Sequence, residues 1–227
     1  MDFIQTTTNN PLISCYTVFN KYSTFWLKEC VLAVKDIIYS NYEYVFVIYG
    51  QNNEYDPILD ILNLMDGRVR LFYYPDSENF IDAITFAINK CRGEFLTRCD
   101  ADDILMPNAL NVMLEEINKH DASMVIPMYV ELDAVTGKQG PKVIEGKINN
   151  IVSHALIERD KYNYVKYIPG QTFRDGVSLM KTFNEYGFKV VYLDKVCFIH
   201  RINEKSLTFD QVKVIEMDKK IKEMKNG

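Results

Sequence analysis

The run Tyr44–Tyr49, with the sequence YVFVIY, is apolar at every position. A strand with one face in solvent alternates apolar and polar residues, whereas a strand covered on both faces does not. This run therefore predicts a central strand of a sheet that has helices on both sides. It ends at Gly50-Gln-Asn-Asn, a sequence typical of a turn.

Strand-like and helix-like segments alternate over roughly the first 130 residues. We predict strands at 12–19, 44–49, 69–74, 94–99 and 124–129, and helices at 24–39, 57–65, 80–91 and 107–119. This order predicts an α/β fold with a mainly parallel sheet, because each helix returns the chain across one face of the sheet.

The pattern is less regular after residue 130, where turns and short extended pieces extend to residue 170. Further on we predict a helix at 173–186, short strands at 190–193 and 196–200, and a charged terminal helix at 209–224. We find no repeat, linker or low-complexity segment. The sequence therefore predicts one domain over 1–227, with one half at 1–130 and the other at 131–227.

Three carboxylates follow directly after the predicted strand 94–99: Asp100, Asp102 and Asp103. Carboxylates this close repel one another unless a counter-ion is present. Mg²⁺ and Mn²⁺ prefer oxygen ligands and are often held by carboxylates together with substrate phosphates. Open α/β sheets bind ligands at the carboxyl ends of their strands. The cluster predicts a metal–phosphate site, and the alternative is a solvated loop in which Asp103 opens the helix near Pro107.

The net charge and the spacing of the cysteines limit the classes of protein to which the chain can belong. The net charge is −5, which gives no overall attraction to nucleic acid or anionic membrane. The five cysteines show no paired spacing, as expected for reduced core cysteines of a cytoplasmic protein. We see no signal peptide, and no apolar run approaches the roughly 20 residues that span a bilayer. We therefore expect a soluble, cytoplasmic protein, with peripheral attachment to a membrane left open.

Three segments together resemble the family 2 glycosyltransferases with the GT-A fold. They are ISCYTVFN at 13–20, EYVFVIYG at 43–50 and RGEFLTRCDADD at 92–103, the last followed by Pro107 and a helix. The segments 187–194 and 198–208 resemble the closing strands and tail of the same family. The resemblance covers roughly residues 11–208. It implies a Rossmann-like GT-A domain that moves a sugar from a nucleoside-diphosphate sugar to an acceptor hydroxyl, with Mn²⁺ or Mg²⁺ as cofactor; 1–130 would be the nucleotide-sugar-binding half and 131–227 the acceptor side.

The resemblance also implies roles for the acidic cluster. Asp102 would bind the metal most directly, and Asp100 would lie near the ribose or the sugar. Asp103 would either ligate the metal or lie beside it and orient the site. A further metal ligand in this family comes from the closing segment. We favour His200 for it, although a strict register places Asn203 there instead.

Inverting members of the family use a carboxylate as general base on the acceptor hydroxyl. Asp175 is the matching residue, and its alternative is a helix-start acid favoured by the helix dipole. Arg174 and Tyr167 are candidates for acceptor binding. Arg174 could equally hold a phosphate or be solvated, and Tyr167 could merely pack.

The resemblance places six further positions beside the nucleotide sugar: Thr17, Phe19, Asn20, Tyr49, Asp82 and Ala101, together with Asp100. Contacts from the first strand would come largely from its backbone. Tyr49 could stack on a base or be an ordinary strand-end aromatic. The carboxylate that commonly contacts uracil after the second strand is absent, and so is the arginine expected at 83–85. These differences favour a donor other than the usual uridine sugar, or a different recognition of the base.

The identity of the acceptor is the property that the sequence constrains least. By family resemblance it is a glycan or a lipid-linked saccharide, with a hydroxylated nucleobase in DNA as a second possibility. Two other classes compete. A nucleotidyltransferase usually has a Gly-rich phosphate loop after its first strand, and Asn20-Lys-Tyr-Ser lacks one. A non-catalytic nucleotide-sugar-binding protein is favoured by the altered donor positions and opposed by the complete acidic cluster.

Overall fold

The computed structural model describes residues 10–20, 26–50, 67–77, 79–133, 139–142, 150–168 and 170–202, and the single positions 215, 218, 219, 221 and 222. The helices are α1 (Leu27–Ala33), α2 (Phe80–Lys90), α3 (Ala109–His120) and α4 (Asp175–Tyr186). The strands are β1 (Ile13–Phe19), β2 (Tyr42–Tyr49), β3 (Val69–Tyr74), β4 (Phe95–Arg98), β5 (Ile104–Leu105), β6 (Met124–Asp133), β7 (Gln139–Lys142), β8 (Leu156–Glu158) and β9 (Val190–Ile202). Short 3₁₀ helices occupy Val34–Asp36, Asn150–His154 and Arg159–Tyr164.

These strands form one sheet in the order β3-β2-β1-β4-β8-β6-β9-β5, with β7 paired to the later part of β6, at 129–132. The first four are parallel. The chain leaves β1 toward β2 and β3 and then returns to place β4 on the other side of β1. The order therefore reverses between β1 and β4, and open α/β sheets bind ligands at the carboxyl ends of strands at such a point.

The other half of the sheet is mixed. The short strand β8 lies between β4 and β6 and is antiparallel to both. Strand β9 runs parallel to β6 and antiparallel to β5. The two short strands predicted at 190–193 and 196–200 are one strand, because a bulge opposite Pro127 and Met128 absorbs the residues between them.

The sheet is covered on both faces, as the apolar run of β2 predicts. Alternate residues of β1 and β2, such as Ile13 and Phe46, pack beneath α1 and α3. The residues between them, such as Val18 and Val47, pack beneath α2. Helix α4 covers the same face as α2, further along the sheet, with Phe183 in its contact. All five cysteines are buried, free thiols within these layers.

Three of the predicted helices differ from expectation or can be compared only in part or not at all. The helix expected at 24–39 is α1 followed by a 3₁₀ turn, and the chain is extended from Ile37 onward. Adjacent β-branched residues at 37 and 38 favour that extension. The helix at 57–65 lies outside the described residues, and only the five single positions of the helix at 209–224 are described, all helical. No helix in the described part of the chain is long and apolar enough to cross a membrane.

A buried carboxylate joins the amino-terminal ends of four strands on the edge opposite the acidic cluster. Glu43 of β2 accepts hydrogen bonds from Ser14 Oγ at 2.6 Å, from the backbone nitrogen of Arg92 at 2.6 Å and from Arg70 at 2.7 Å. Ser14 lies in β1, Arg70 in β3, and Arg92 precedes β4. Gly93 donates in turn to Ser14 Oγ at 2.8 Å. This network fixes the start of β4, at the edge of the sheet away from the acidic cluster.

Candidate active site

The acidic cluster forms a tight turn at the carboxyl end of β4. The backbone nitrogen of Cys99 donates to the carbonyl of Tyr16, and Thr17 Oγ1 donates to the carbonyl of Cys99 at 2.7 Å. The backbone nitrogen of Asp103 then donates to the carbonyl of Asp100 at 3.0 Å. These bonds attach the turn to β1 and close it on itself. Three carboxylates are thereby confined to a few ångströms at the point where the strand order reverses.

The register between β5 and β9 brings Asp103 to His200. Ile104 pairs with Ile199 in this antiparallel ladder, so the preceding residue, Asp103, lies opposite His200. His200 Nδ1 lies 3.0 Å from Asp103 Oδ2, and the backbone nitrogen of Arg201 donates to Oδ1 at 2.8 Å. Asp103 therefore does not cap α3. That helix begins at Ala109 with Asn108 as its N-cap, which rules out the capping alternative.

A second histidine also contacts Asp103. His154, from the 3₁₀ helix before β8, places Nε2 2.8 Å from Asp103 Oδ2 and stacks on Phe198. Asp103 and His154 are almost completely buried. Ligand atoms of Asp103, His154 and His200 lie within 4.8 Å of one another, a spacing at which they could hold a metal ion.

The ionisation of the cluster reflects its crowding. Burial raises the pKa of Asp102 to about 7, and the charges of Asp103 and Asp100 add to that effect. Burial alone would also raise the pKa of Asp103, but the charge of His200 and the contacts with both histidines outweigh it and lower that pKa. Burial would lower the pKa of His200, yet the Asp103 carboxylate raises it to about 9. The charged form of Asp102 is therefore disfavoured by its surroundings, and a cation bound beside it would stabilise that form.

Asp175 is joined to this cluster by a buried arginine. Arg98 is the last residue of β4, and its side chain is 4% exposed. Its Nε lies 2.8 Å from Asp100 Oδ1, and its NH1 donates to Asp175 Oδ2 at 2.9 Å. One guanidinium thus contacts both the first carboxylate of the cluster and the predicted base, which lie 75 residues apart in the chain.

The turn before Asp175 has an unusual backbone. Arg174 has φ +61°, in the left-handed region that non-glycine residues seldom occupy. The buried side chain of Gln171 holds this turn by donating to the carbonyls of Phe173 and Arg174, at 3.0 and 2.8 Å. Gln171 also accepts from Ser178 in the first turn of α4. The strained backbone places Asp175 at the first position of that helix.

The predicted donor-side residues are mostly buried. Thr17, Phe19 and Ala101 have almost no side-chain exposure, so they could contact a nucleotide only through their backbone. Tyr49 is 6% exposed and packs against Phe80, which makes it part of the core beneath α2 and does not leave its ring face open to a base.

The remaining predicted residues lie nearer the surface. Asn20 is half-buried directly after β1, and Asp82 is exposed at the start of α2, where it accepts from Ser77 at 2.7 Å. Arg174 forms an ion pair with Asp218. Tyr167 is half-buried beside the core under α2, and its hydroxyl has no hydrogen-bond partner among the described residues. No contact described in the structure joins Asp82 to the acidic cluster.

Two residues of the site were not predicted from sequence. Arg98 is the one charged residue of β4 and stands two positions before Asp100, so an extended chain places the two side chains on the same side. That signal was present in the sequence. His154 lies in the irregular stretch after residue 130, and only the pairing of β8 between β4 and β6 brings it to Asp103.

The fold is that of the GT-A glycosyltransferases. Among solved structures, S. aureus TarS (residues 1–349) in complex with UDP-GlcNAc superposes with a TM-score of 0.65 at 14% identity, over 85% of this chain and 59% of that one. The mannosyltransferase PcManGT from Pyrobaculum calidifontis, in complex with GDP-Man and Mn²⁺, superposes with a TM-score of 0.68 at 11% identity, over 91% of this chain and 61% of that one. At such identities the likeness shows the fold.

The sequence comparisons give the family. The sequence model of glycosyl transferase family 2 matches residues 15–189. The glycosyltransferase GlyG of Streptococcus pneumoniae serotype 4 is 24% identical over 200 residues, which cover 78% of this chain and 66% of GlyG. The chain belongs to glycosyl transferase family 2, which confirms the resemblance found in its sequence. It spans about two thirds of GlyG and less than two thirds of the two structural relatives.

Proposed function

We propose that this chain catalyses metal-dependent transfer of a sugar, with inversion, from a nucleoside-diphosphate sugar to an acceptor hydroxyl. The observation that carries the proposal is the shared guanidinium of Arg98. It contacts Asp100 in the acidic turn and Asp175 at the start of α4. A donor-side group and a candidate base are therefore adjacent, as transfer between two substrates requires.

The acidic turn fits a divalent cation. The pKa of Asp102 is raised to about 7 by burial and by two neighbouring carboxylates, so a cation bound beside Asp102 would stabilise its charged form. Asp100 and His200 are partly exposed, with side-chain exposures of 29% and 31%, whereas Asp103 is fully buried. Since a diphosphate has to reach the ion from solvent, we assign Asp102, Asp100 and His200 as its ligands.

In this assignment the buried residues Asp103 and His154 orient the ligands and do not bind the metal themselves. Both Asp103 oxygens are engaged, by His200, His154 and the backbone of residue 201. A histidine ligand commonly bonds its other ring nitrogen to a carboxylate, which fixes the tautomer and the ring. With Nδ1 of His200 directed at Asp103, Nε2 is the atom left for a metal. Of the two roles that the family resemblance allows for Asp103, we therefore propose the orienting one.

The ion, Mn²⁺ or Mg²⁺, would stabilise the charge that develops on the diphosphate leaving group. The mannosyltransferase relative is in complex with Mn²⁺. Asp175 would take the proton of the acceptor hydroxyl. Its Oδ2 accepts from Arg98, and Oδ1 has no hydrogen-bond partner among the described residues, so Oδ1 is the atom we assign to the proton. A carboxylate within hydrogen-bond reach of the attacking hydroxyl is what general-base catalysis needs.

The donor and the acceptor are proposed by class. The two structural relatives are in complex with UDP-GlcNAc and with GDP-Man, so the fold accommodates more than one nucleotide base. The buried position of Tyr49 argues against base stacking on its ring. We propose a saccharide hydroxyl, on a glycan or a lipid-linked sugar, as acceptor, because Tyr164 and Tyr167 lie in the segment leading to Asp175 and aromatic rings pack well against sugars.

The proposal is tested by the release of free nucleoside diphosphate. The purified chain is incubated with a panel of UDP-, GDP-, ADP-, CDP- and TDP-sugars and simple saccharide acceptors, with Mn²⁺, with Mg²⁺ or with EDTA. We expect one nucleotide class to release diphosphate with metal only, and Asp102→Asn and Asp175→Asn to lower the rate by at least about 100-fold. Asp36→Asn, an exposed carboxylate on the 3₁₀ turn after α1, is the matched control and should keep the wild-type rate. Release of pyrophosphate instead, or rates unaffected by Asp102→Asn, would contradict the proposal.

A further inference from the structure

We propose that Arg98 is a positioning residue of the transfer reaction, which sets the base Asp175 against the donor-side carboxylate Asp100. This inference rests on the proposed function, because it assigns Arg98 a task within that site. Neither the sequence resemblance nor the similarity to known proteins gives Arg98 a role.

The first argument is the cost of placing this charge where it lies. Arg98 is buried on all sides, at the end of a strand whose other residues, Phe95, Leu96 and Thr97, carry no charge. A guanidinium without partners in such a place is strongly destabilising, and a well-packed apolar residue usually serves stability as well or better. Stability alone therefore gives little reason for an arginine at this position. Its two contacts give a different reason.

The second argument is geometric. A guanidinium is a rigid plane with donors on separate edges, so it fixes the groups that bind it in distance and direction. Here NH2 donates to Asp100 Oδ2 at 3.5 Å, with Nε in ion-pair contact with Oδ1 at 2.8 Å, and NH1 donates to Asp175 Oδ2 at 2.9 Å. The guanidinium carbon lies over the ring of Phe80, 5.2 Å from its centroid. The ring and the two carboxylates leave the guanidinium little freedom to rotate. Because the guanidinium group is rigid, it sets the distance between the two carboxylates.

The third argument is that the two carboxylates come from different elements, which are otherwise connected through the packing of α4 on the sheet. Asp100 follows β4, and Asp175 opens α4, which covers a different part of the sheet. Each is held locally by its own turn: Asp100 by the bond from Asp103, and Asp175 by the left-handed residue before it. Arg98 is the direct contact between the two turns. Without it, the base and the donor site would each remain ordered, and their relative position would depend on the packing of α4 against the sheet, which fixes it less closely than a direct contact.

The consequence for the reaction is a loss of alignment. The acceptor oxygen has to be held by the base and, at the same time, in line with the bond to the leaving diphosphate. A misplacement of about 1 Å in such an arrangement can lower the rate about 100-fold. Arg98 does not touch the reacting atoms in this scheme and acts through Asp175.

The test compares Arg98→Lys with wild type, alone and in an Asp175→Asn background. Lysine keeps the positive charge beside both carboxylates but replaces the planar fork by a single point charge. We expect Arg98→Lys to lower kcat about 10- to 100-fold, with the KM for the donor and the Kd for nucleoside diphosphate with Mn²⁺ changed less than about threefold. In the Asp175→Asn background the same substitution should lower the residual kcat less than about twofold, because the residue through which it acts is already disabled.

Arg70→Lys is the matched control, since it weakens another partly buried ion pair, with Glu43, far from the acidic turn. It should lower the melting temperature and leave kcat unchanged. Should Arg98→Lys fold poorly, Arg98→Met combined with Asp175→Asn removes the buried charge with its partner, and its binding of nucleoside diphosphate should match that of Asp175→Asn alone.

Three results would overturn the inference. A wild-type kcat in Arg98→Lys while Asp175→Asn is inactive would leave the proposed function intact and remove Arg98 from it. An equal loss in both backgrounds would mean that Arg98 acts independently of the base. Wild-type activity in Asp175→Asn would refute the assignment of the base itself, and the positioning role with it.

Discussion

The substitution Glu43→Gln isolates the contribution of the buried network that fixes the start of β4. Glutamine has the shape of glutamate but lacks its charge. It can still accept from Ser14 and from the backbone of Arg92 at Oε1, where both bonds are 2.6 Å long. At the second oxygen, Arg70 and Arg92 side-chain donors at 2.7 and 2.8 Å would face an amide N–H instead of a carboxylate.

The expected loss follows from those two contacts. A hydrogen bond to a charged group contributes about 1.5–3 kcal/mol, and breaking a fully buried ion pair costs about 3–5 kcal/mol. The Arg70 and Arg92 side chains are 24% and 62% exposed, so both can regain water when the carboxylate is removed. We therefore expect Glu43→Gln to lower the free energy of unfolding by about 2–3 kcal/mol at pH 7, below the range for a fully buried pair.

The same network predicts how this difference changes with pH. Burial would raise the pKa of Glu43, but hydrogen bonds from Ser14 and Arg92 and the charge of Arg70 outweigh it and lower the pKa below its ordinary value of 4.5. The unfolded chain therefore binds a proton more readily than the folded one. The stability that the charge provides is fully present above pH 4.5 and is lost as the pH falls through the lowered pKa.

Urea unfolding at 25 °C, from pH 7 down to pH 3, measures both effects. The difference between wild type and Glu43→Gln should be constant from pH 7 to about pH 5.5 and should shrink below pH 4.5. Glu185→Gln, in an exposed pair with Lys181, is the control and should change stability by less than about 0.5 kcal/mol. A difference below about 0.5 kcal/mol at pH 7, or one that does not shrink in acid, would refute this reasoning.

Three further substitutions test other parts of the structure. Gly93→Ala would place its Cβ 2.6 Å from the nitrogen of Ser14 and 2.7 Å from the carbonyl oxygen of Leu12, both backbone atoms, so we expect a loss of about 1–3 kcal/mol in urea unfolding, and a stable variant would mean that this approach is looser. Phe183→Ala removes a fully buried ring between α4 and the sheet and should cost about 3–5 kcal/mol; a cost under about 1 kcal/mol would contradict that packing. Asp103→Asn should weaken the binding of Mn²⁺ about 10- to 100-fold in a calorimetric titration, and unchanged affinity would argue against its orienting role.

The sequence predicts the parallel half of the fold because each of its elements has a local signal. The apolar run of β2 is such a signal, and the ends predicted for β2, β3 and α2 agree with the structure to within a few residues. The acidic turn is likewise a local feature, since its three carboxylates follow one strand. Local patterns of this kind predict these elements because strands that are covered on both faces are apolar at successive positions.

The rest depends on pairings that no local pattern records. The insertion of β8 between β4 and β6 brings His154 to Asp103, and the register of β5 on β9 brings His200 there. The family resemblance suggested His200, whereas His154 had no signal at all. Arg98 had one, because it is the only charged residue of β4, but its contact with Asp175 depends on the packing of α4 on the sheet.

The central claim is that the acidic turn binds a nucleoside diphosphate through a divalent cation. The most direct measurement is thermal stabilisation of the wild-type chain by UDP, GDP, ADP, CDP and TDP, each with and without Mn²⁺, compared with Asp102→Asn and Asp36→Asn. We predict that one nucleotide raises the melting temperature only in the presence of Mn²⁺, that Asp102→Asn abolishes the shift, and that Asp36→Asn retains it. A shift that is independent of Mn²⁺, or one that persists in Asp102→Asn, would contradict the claim, as would the absence of a shift with every nucleotide.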